Sequence, residues 1–145
     1  HALLPINAIS LGYVSSAQAI DNKQGPFVIA YSNVLKYELN DKIEVVLGDG
    51  INKIDSDVDC VVISGMGGGL VSDIIVKDDK KNIKRFILQP NNDSNLVRKA
   101  IVDIGFHIVD ELVFSDNHKT RNWIWPNKFK RKAVLFHPKD WKRNS

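Results

Sequence analysis

Val61-Val62-Ile63-Ser64-Gly65-Met66-Gly67-Gly68-Gly69 is the stretch that decides the fold. Its apolar, β-branched first part predicts a buried strand. Glycine occupies four of the five positions from Gly65 to Gly69, and a helical pattern of Leu70, Ile74 and Ile75 begins inside them. Because glycine loses much conformational entropy on folding, we expect a ligand to approach this backbone closely.

Helix and strand patterns alternate on both sides of this turn. Helices are predicted over residues 2–12, 25–39, from the glycines onward, and 94–104, and strands over residues 13–21, 43–47, 58–63, 85–88 and 106–114. Asp93 or Ser94 is expected to cap the last helix. No hairpin signal is present, so the order predicts βαβ units and a parallel, doubly wound α/β sheet with helices on both faces. From Thr120 onward neither the helical spacing nor the strand alternation of apolar residues is clear.

Composition favours a soluble globular protein, since hydrophobic residues make up 43% and charged residues 26% of the 145. No apolar run reaches the ~20 residues that span a bilayer, and the N-terminus lacks the features of a signal peptide. We therefore expect a cytoplasmic protein that does not enter a membrane. Cys60 reads as a buried small residue, and the histidines lack the spacing of a metal site.

Charge is distributed unevenly along the chain. Residues 1–118 contain 11 Lys and Arg against 16 Asp and Glu, whereas residues 119–145 contain 9 basic residues and one acid. We expect residues 1–118 to form the domain and residues 119–145 a basic tail. Such a tail is typical of a segment that binds nucleic acid. A solvated tail without a partner would account for the basic composition equally well.

Acidic residues at two strand ends are candidates for contacts with a cofactor. Asp21 ends the strand predicted over residues 13–21, in the place of the second strand of such a sheet, and can accept hydrogen bonds from ribose hydroxyls. A turn or a helix cap explains it as well. In Gly48-Asp49-Gly50, a short carboxylate lies between two flexible residues and can face the amino group of an adenine. An ordinary Asp-Gly turn is the alternative.

Two amides flank a proline in Gln89-Pro90-Asn91, directly after another predicted strand. Amides donate to and accept from the polar edge of a base, and proline fixes the backbone between them. The alternative is a simple strand-ending turn.

The glycine turn matches neither a P-loop nor a dinucleotide fingerprint, and the thioether of Met66 suits the face of a cofactor or base.

Five motifs together resemble the bacterial tRNA (adenine-22-N1)-methyltransferase family. The motifs are His1-Ala2-Leu3-Leu4-Pro5, Gly25-Pro26-Phe27, Gly48-Asp49-Gly50, Ile63-Ser64-Gly65-Met66-Gly67-Gly68 and Ile87-Leu88-Gln89-Pro90-Asn91. Their order and spacing match over about residues 1–118. The resemblance implies a class I, Rossmann-like methyltransferase that transfers a methyl group from S-adenosylmethionine to ring nitrogen 1 of an adenosine in tRNA.

The resemblance also implies roles for individual residues. His1 matches the last residue of the family's Asp-x-Gly-Ser-Asp-His cofactor motif, Asp21 would bind the ribose, and Gly48, Asp49 and Gly50 would lie at the adenine. Gly65, Met66 and Gly67 would follow the methionine part of the cofactor and the target base. Gln89, Pro90 and Asn91 would hold that base, with Gln89 and Asn91 as the catalytic pair.

Two departures from the family pattern leave other functions open. The chain begins at the histidine of the cofactor motif, so we expect a sheet that is incomplete at its N-terminal side and has an unpaired gap. Residues 120–145 match no part of the family. The alternatives are a methyltransferase for a small molecule or protein, a catalytically incompetent fragment, and a dinucleotide-binding oxidoreductase.

Overall fold

The computed structural model describes residues 1–129 of the chain. Every helix and strand that the sequence predicts is present in them, with bounds that differ by a few residues. In chain order the elements are α1 (Leu3–Ser10), β1 (Ala17–Asp21), α2 (Gln24–Lys36), β2 (Ile43–Leu47), β3 (Cys60–Met66), α3 (Gly68–Lys77), β4 (Arg85–Pro90), α4 (Ser94–Asp103), β5 (His107–Asp116) and β6 (Lys119–Asn127).

The described residues divide into two compact units, which are residues 1–53 and the residues from Ile54 onward. Their strands form two separate sheets, a parallel pair β1-β2 and a four-stranded sheet in the order β3-β4-β6-β5. The strands of residues 1–129 therefore form two sheets and not one continuous sheet, and the unpaired gap that we expected stays a prediction.

The N-terminal unit is a βαβ pair with one additional helix. α1 and α2 bury apolar residues three or four positions apart, which is the spacing of one helix face. Its core consists of Ala2, Ile6, Ile9, Ala30, Val34 and Ile43. β1 and β2 pair in parallel with Asp21 opposite Leu47, so both carboxyl ends lie at one edge of this sheet.

The second unit contains another parallel pair, β3 and β4, joined by α3. β4 is buried from Phe86 to Pro90, and α3 and α4 bury Val71, Ile75, Val97 and Ile101. Asp93 occupies the N-cap position of α4, as predicted. Its side chain makes no capping hydrogen bond, so the prediction that it caps the helix was wrong. Its φ of 49° is left-handed, whereas a capping side chain needs an extended backbone.

The predictions of a wholly parallel sheet and of a last strand ending near Phe114 were wrong. β6 follows β5 through a two-residue turn and pairs antiparallel with both β5 and β4. The turn residues Asn117 and His118 have φ values of 47° and 63°. Positive φ at both positions is the geometry of a type I′ hairpin turn. Such turns usually contain glycine, and this one does not.

β6 also contains the first nine residues of the segment that we expected to be a basic tail. Residues 130–145 lie outside the described residues, so the rest of that expectation stays a prediction, as does the domain division at residue 118. Within residues 1–129, no helix is both long and apolar enough to cross a membrane. In the same part of the chain, no cluster of three His, Cys, Asp or Glu side chains could hold a metal ion.

Candidate functional site

Asp21 and Gly48–Gly50 lie together at the carboxyl ends of β1 and β2, and we call this group the β1–β2 edge. The Gly48 amide donates to the Asp21 carbonyl at 2.9 Å. Oδ1 of the half-buried Asp21 side chain accepts a hydrogen bond of 3.0 Å from the Lys23 amide. A carboxylate offers about four lone-pair positions, so Asp21 keeps acceptor capacity for a ligand.

The turn after β2 takes its shape from Gly50 and Lys53. Gly50 has a φ of 60°, a conformation that glycine adopts at little cost. Lys53 reaches back and donates from Nζ to the Leu47 carbonyl at 3.1 Å, and a Cβ on Gly48 would lie 2.9 Å from its Cδ. Asp49, between Gly48 and Gly50, is exposed. The turn therefore holds its backbone without using the Asp49 carboxylate in any described contact.

His1, the third sequence-predicted site in this unit, is exposed and contacts α2. Its carbonyl accepts a hydrogen bond of 2.9 Å from Nδ2 of Asn33. Among the described contacts, none joins His1 to Asp21 or Asp49. The structure thus brings Asp21 together with Gly48–Gly50 and leaves the placement of His1 at the cofactor a prediction.

The second group, Gly65–Gly67 with Gln89–Asn91, lies at the carboxyl ends of β3 and β4, and we call it the β3–β4 edge. Ser64 pairs with Gln89 and Met66 pairs with Pro90, so Gly65 is an extra residue in β3. Its φ of 77° completes a β-bulge, in which glycine commonly takes the left-handed position. The bulge leaves Met66 39% exposed at the end of the strand.

Gln89 is only 6% exposed and braces this bulge. Its Oε1 accepts a hydrogen bond of 3.1 Å from the Gly65 amide, and its Nε2 donates to the Pro90 carbonyl at 2.9 Å. Both ends of the amide are therefore engaged with the backbone. In this arrangement Gln89 shapes the turn, and its direct contact with a base stays a prediction.

Asn91 is exposed and also binds the bulge. Its Nδ2 donates to the Gly65 carbonyl at 2.8 Å, and its backbone amide donates to the Met66 carbonyl at 2.7 Å. Its Oδ1 accepts a hydrogen bond of 2.6 Å from Arg121 on β6. Gly65, Met66 and Asn91 thus form one connected group, as the sequence predicted for residues of neighbouring strand ends.

The glycines of the turn meet different demands. A Cβ on Gly68 would lie 2.6 Å from the Asp93 carbonyl oxygen, so glycine is required there by the protein itself. The Gly68 amide donates to Oδ1 of Asn92 at 3.0 Å, which satisfies one donor at the start of α3. A Cβ on Gly65 would meet nothing within 4 Å. A Cβ on Gly69 also meets nothing within 4 Å, so the open positions are Gly65 and Gly69, and within the β3–β4 edge the space for the expected ligand is at Gly65.

Sequence reasoning missed Asn92 and Arg121. Asn92 follows the predicted motif directly, and its amide is a good partner for a helix N-terminus, which was the available signal. Arg121 comes from β6, which was not predicted. Antiparallel pairing of Arg85 with Asn127 and of Leu88 with Ile124, extended by three residues, places Arg121 opposite Asn91.

Cys60 lies at the other end of β3, away from this edge along the strand. Burial raises the pKa of its thiol to about 11, with a smaller increase from Asp59 and an opposing effect of Arg85. The thiol is therefore protonated at neutral pH, and only thiolates are good nucleophiles or metal ligands. Cys60 is half-buried and not fully buried as expected, and its protonated thiol agrees with a structural role.

Comparison with known proteins finds methyltransferases that are similar in sequence and in fold. The tRNA (adenine(22)-N(1))-methyltransferase of Bacillus subtilis is 34% identical over 122 residues, which are 82% of this chain and 51% of that protein. The crystal structure of the B. subtilis m1A22 tRNA methyltransferase has a TM-score of 0.85 at 31% identity, over 92% of this chain and 58% of that one. A putative tRNA (m1A22) methyltransferase of Streptococcus pneumoniae, in complex with S-adenosyl-L-methionine, has a TM-score of 0.85 at 33% identity, over 92% and 64%.

These similarities confirm the resemblance and the Rossmann-like α/β fold that the motifs predicted. The chain spans about half the length of the curated relative that it matches. A family model described as a methyltransferase domain matches residues 1–124. The chain therefore belongs to the methyltransferase domain family.

Proposed function

We propose that the protein containing this chain transfers a methyl group from S-adenosylmethionine to ring nitrogen 1 of an adenosine in tRNA, at position 22. The observation that carries the proposal is the hydrogen-bonded group of Gly65, Met66 and Asn91 at the carboxyl ends of two parallel strands. Ligands of open α/β sheets bind at such ends. The tRNA methyltransferases of B. subtilis and S. pneumoniae support the choice of reaction and substrate.

The chemistry of the β1–β2 edge fits the nucleoside part of the cofactor. Asp21 keeps acceptor capacity for ribose hydroxyls, and the exposed Asp49 carboxylate can accept from an adenine amino group. We place Gly48 and Gly50 beside that adenine because their backbone forms the turn. His1 enters the proposal only through the motif that it matches.

The open side of Gly65 fits a flat or narrow group beside the backbone, and we place the methionine part of the cofactor along Gly65, Met66 and Gly67. When bound, the cofactor supplies an electrophilic methyl group. Ring nitrogen 1 of adenine has an in-plane lone pair and needs no prior deprotonation. The protein has to hold the base next to the methyl group. Holding two reactants in the right geometry accounts for much of the lowering of the activation barrier in a two-substrate reaction.

Asn91 is the residue that we expect to hold the base, with Gln89 and Pro90 fixing its position. It is exposed, whereas Gln89 is buried and uses both amide ends on the backbone. Each amide oxygen has a second lone pair, so Asn91 can accept from the exocyclic amino group of adenine while it binds Arg121. An adenosine within folded tRNA must leave its stack to reach such a residue.

Methylation of unmodified tRNA transcripts tests the proposal. The protein and S-adenosylmethionine should produce 1-methyladenosine in a transcript with A22, detected by nucleoside mass spectrometry and by a reverse-transcription stop. A transcript with G22 should remain unmodified, and rising salt should weaken tRNA binding. Asn91→Ala should reduce the rate at least tenfold, and Asn95→Ala, an exposed asparagine on α4, should not.

Other outcomes assign other functions. Binding of S-adenosylmethionine without methylation of any tRNA, at low or high salt, would favour a small-molecule or protein substrate. A folded protein that binds neither S-adenosylmethionine nor tRNA would contradict the proposal and indicate a catalytically incompetent chain.

A further inference from the structure

Arg121, Asn91 and Gly65 form a continuous chain of hydrogen bonds across three strands of the second unit. The Arg121 guanidinium donates from NH1 to Asn91 Oδ1 at 2.6 Å, and Asn91 Nδ2 donates to the Gly65 carbonyl at 2.8 Å. Arg121 is half-buried and Asn91 is exposed, so the contact lies at the surface of this edge. A charged donor makes the first bond stronger than a neutral pair would be.

Strand pairing fixes the place of Arg121 relative to Asn91. β6 pairs with β4 at Arg85 and Asn127 and again at Leu88 and Ile124, and the same offset puts Arg121 opposite Asn91. On its other side Arg121 pairs with Phe114 of β5. Pairing with Phe114 thus fixes the backbone of Arg121, and the β4–β6 offset starts its side chain beside Asn91. The fold therefore places Arg121 within reach of Asn91.

The guanidinium and the Gly65 carbonyl together select one orientation of the Asn91 amide. Arginine only donates hydrogen bonds, so it can bind the amide oxygen and not the amide nitrogen. With Oδ1 directed to Arg121, Nδ2 is the end that remains for the Gly65 carbonyl. Gly65 has positive φ and carries the open side of the turn, so the orientation of one amide is linked to the shape of the proposed pocket.

We propose that Arg121 is a positioning residue that fixes the Asn91 amide and, through it, the Gly65–Met66 turn. Its role in catalysis rests on the function proposed above, whereas its effect on the Asn91 amide does not. Arg121 acts through Asn91 and needs no contact with the reacting atoms. A direct bond from Arg121 to an RNA phosphate is the competing role.

Three variants of the protein separate these roles. Arg121→Met removes the charge and the donors while keeping an apolar stem, and Arg121→Lys restores one cationic donor. Lys119→Met is the matched control, because Lys119 is an exposed cation on the same strand. For each variant the Asn91 side-chain amide signals are recorded by ¹H–¹⁵N NMR, and kcat and KM for A22 tRNA are measured with S-adenosylmethionine saturating.

For Arg121→Met we expect shifted, faster-exchanging Asn91 amide signals and a kcat that falls roughly tenfold, with KM for tRNA changed less than about twofold. Arg121→Lys should recover much of both, and Lys119→Met should move neither the signals nor kcat. Unmoved amide signals in Arg121→Met would overturn the proposal. So would an unchanged kcat with a raised, salt-sensitive KM, which indicates a phosphate contact.

The two proposals fail in distinguishable ways. If the unsubstituted protein does not methylate tRNA, the proposed function fails and the catalytic part of the Arg121 proposal fails with it. The Asn91 amide signals then still decide whether Arg121 orients that side chain.

Discussion

The β1–β2 edge and the β3–β4 edge occupy equivalent places in two parallel βαβ pairs, yet different groups hold them. At the first edge, the backbone of Gly48 binds the backbone of Asp21, and the Asp21 carboxylate binds only the nearby Lys23 amide in the described contacts. At the second edge, the side chains of Gln89 and Asn91 cross between strands to bind Gly65.

This difference separates two ways of building a ligand site at a strand end. The first edge keeps its carboxylates available, so a substitution there should affect ligand binding more than folding. The second edge uses polar side chains to maintain a bulge with positive φ, so a substitution there should affect folding and ligand binding together. The second edge is also the one that a third strand, β6, reinforces through Arg121.

The largest effect is expected for Gly68→Ala, beside the β3–β4 edge. A Cβ would lie 2.6 Å from the Asp93 carbonyl oxygen, and the backbone there is also the start of α4. Overpacking of this kind should lower the free energy of unfolding by about 3 kcal/mol, measured by urea denaturation. Gly69→Ala is the control, because its Cβ meets nothing within 4 Å, and it should be neutral or slightly stabilising. Equal losses for the two variants would contradict the packing argument.

Gln89→Met should be the next most damaging substitution, at about 2 kcal/mol in the same measurement. Methionine fills a similar volume but leaves the Gly65 amide and the Pro90 carbonyl without their partner in a buried place. The matched control is Gln18→Met in the β1–β2 sheet, where the glutamine donates to Glu44 at an exposed position. It should cost less than about 0.5 kcal/mol. A similar cost for both glutamines would erase the distinction between the two edges.

Asp21→Asn should show the opposite balance at the β1–β2 edge. Asparagine still offers an oxygen to the Lys23 amide, so the free energy of unfolding should change by less than about 0.5 kcal/mol. Loss of the charge should weaken S-adenosylmethionine binding about tenfold in calorimetry, since hydrogen bonds to a charged group contribute roughly 1.5 kcal/mol or more. Asp41→Asn, an exposed acid in the same unit, should leave the affinity unchanged. Stability loss without loss of affinity would move Asp21 out of the proposed cofactor site.

The fold was predictable where one signal dominated a segment. Residues 43–47 matched β2 at both ends, because a β-branched run stops at Gly48. β6 gave no such signal, since its turn uses Asn117-His118 without glycine and its sequence contains Pro126. Proline is confined to edges and bulges of sheets, and Pro126 pairs with Ile108 where the register of β5 and β6 shifts. A proline tolerated at a bulge cannot be told from a strand breaker without the partner strand.

The candidate site shows the same limit at the level of side chains. Residue types at strand ends predicted that Gly65, Gln89 and Asn91 would be neighbours, because parallel strands end at a common edge. Their individual bonds depend on the one-residue bulge at Gly65, which shifts the register between β3 and β4. Arg121 depends on the antiparallel offset of β6, a long-range property that local sequence does not contain.

The last effect is expected at the amino end of β3, where it is absent at neutral pH, and it tests how far the brace at the carboxyl end extends. Burial raises the pKa of the Cys60 thiol to about 11 from its ordinary value of 9.0. Between these values an unfolded chain releases a proton that the folded chain retains. The free energy of unfolding should therefore fall as the pH rises from 9 to 11, and the contribution should be complete below pH 9.

Subtracting the pH profile of Cys60→Val from that of the unsubstituted protein isolates this contribution, because the other titrating groups cancel. The difference should be flat below pH 9 and decline above it. If Gln89 braces only its own edge, Gln89→Met in both backgrounds should leave the decline in place. A decline that disappears in the Gln89→Met background would mean that the brace also keeps water from the far end of β3, and the contrast between the two edges would then concern whole strands and not only their ends.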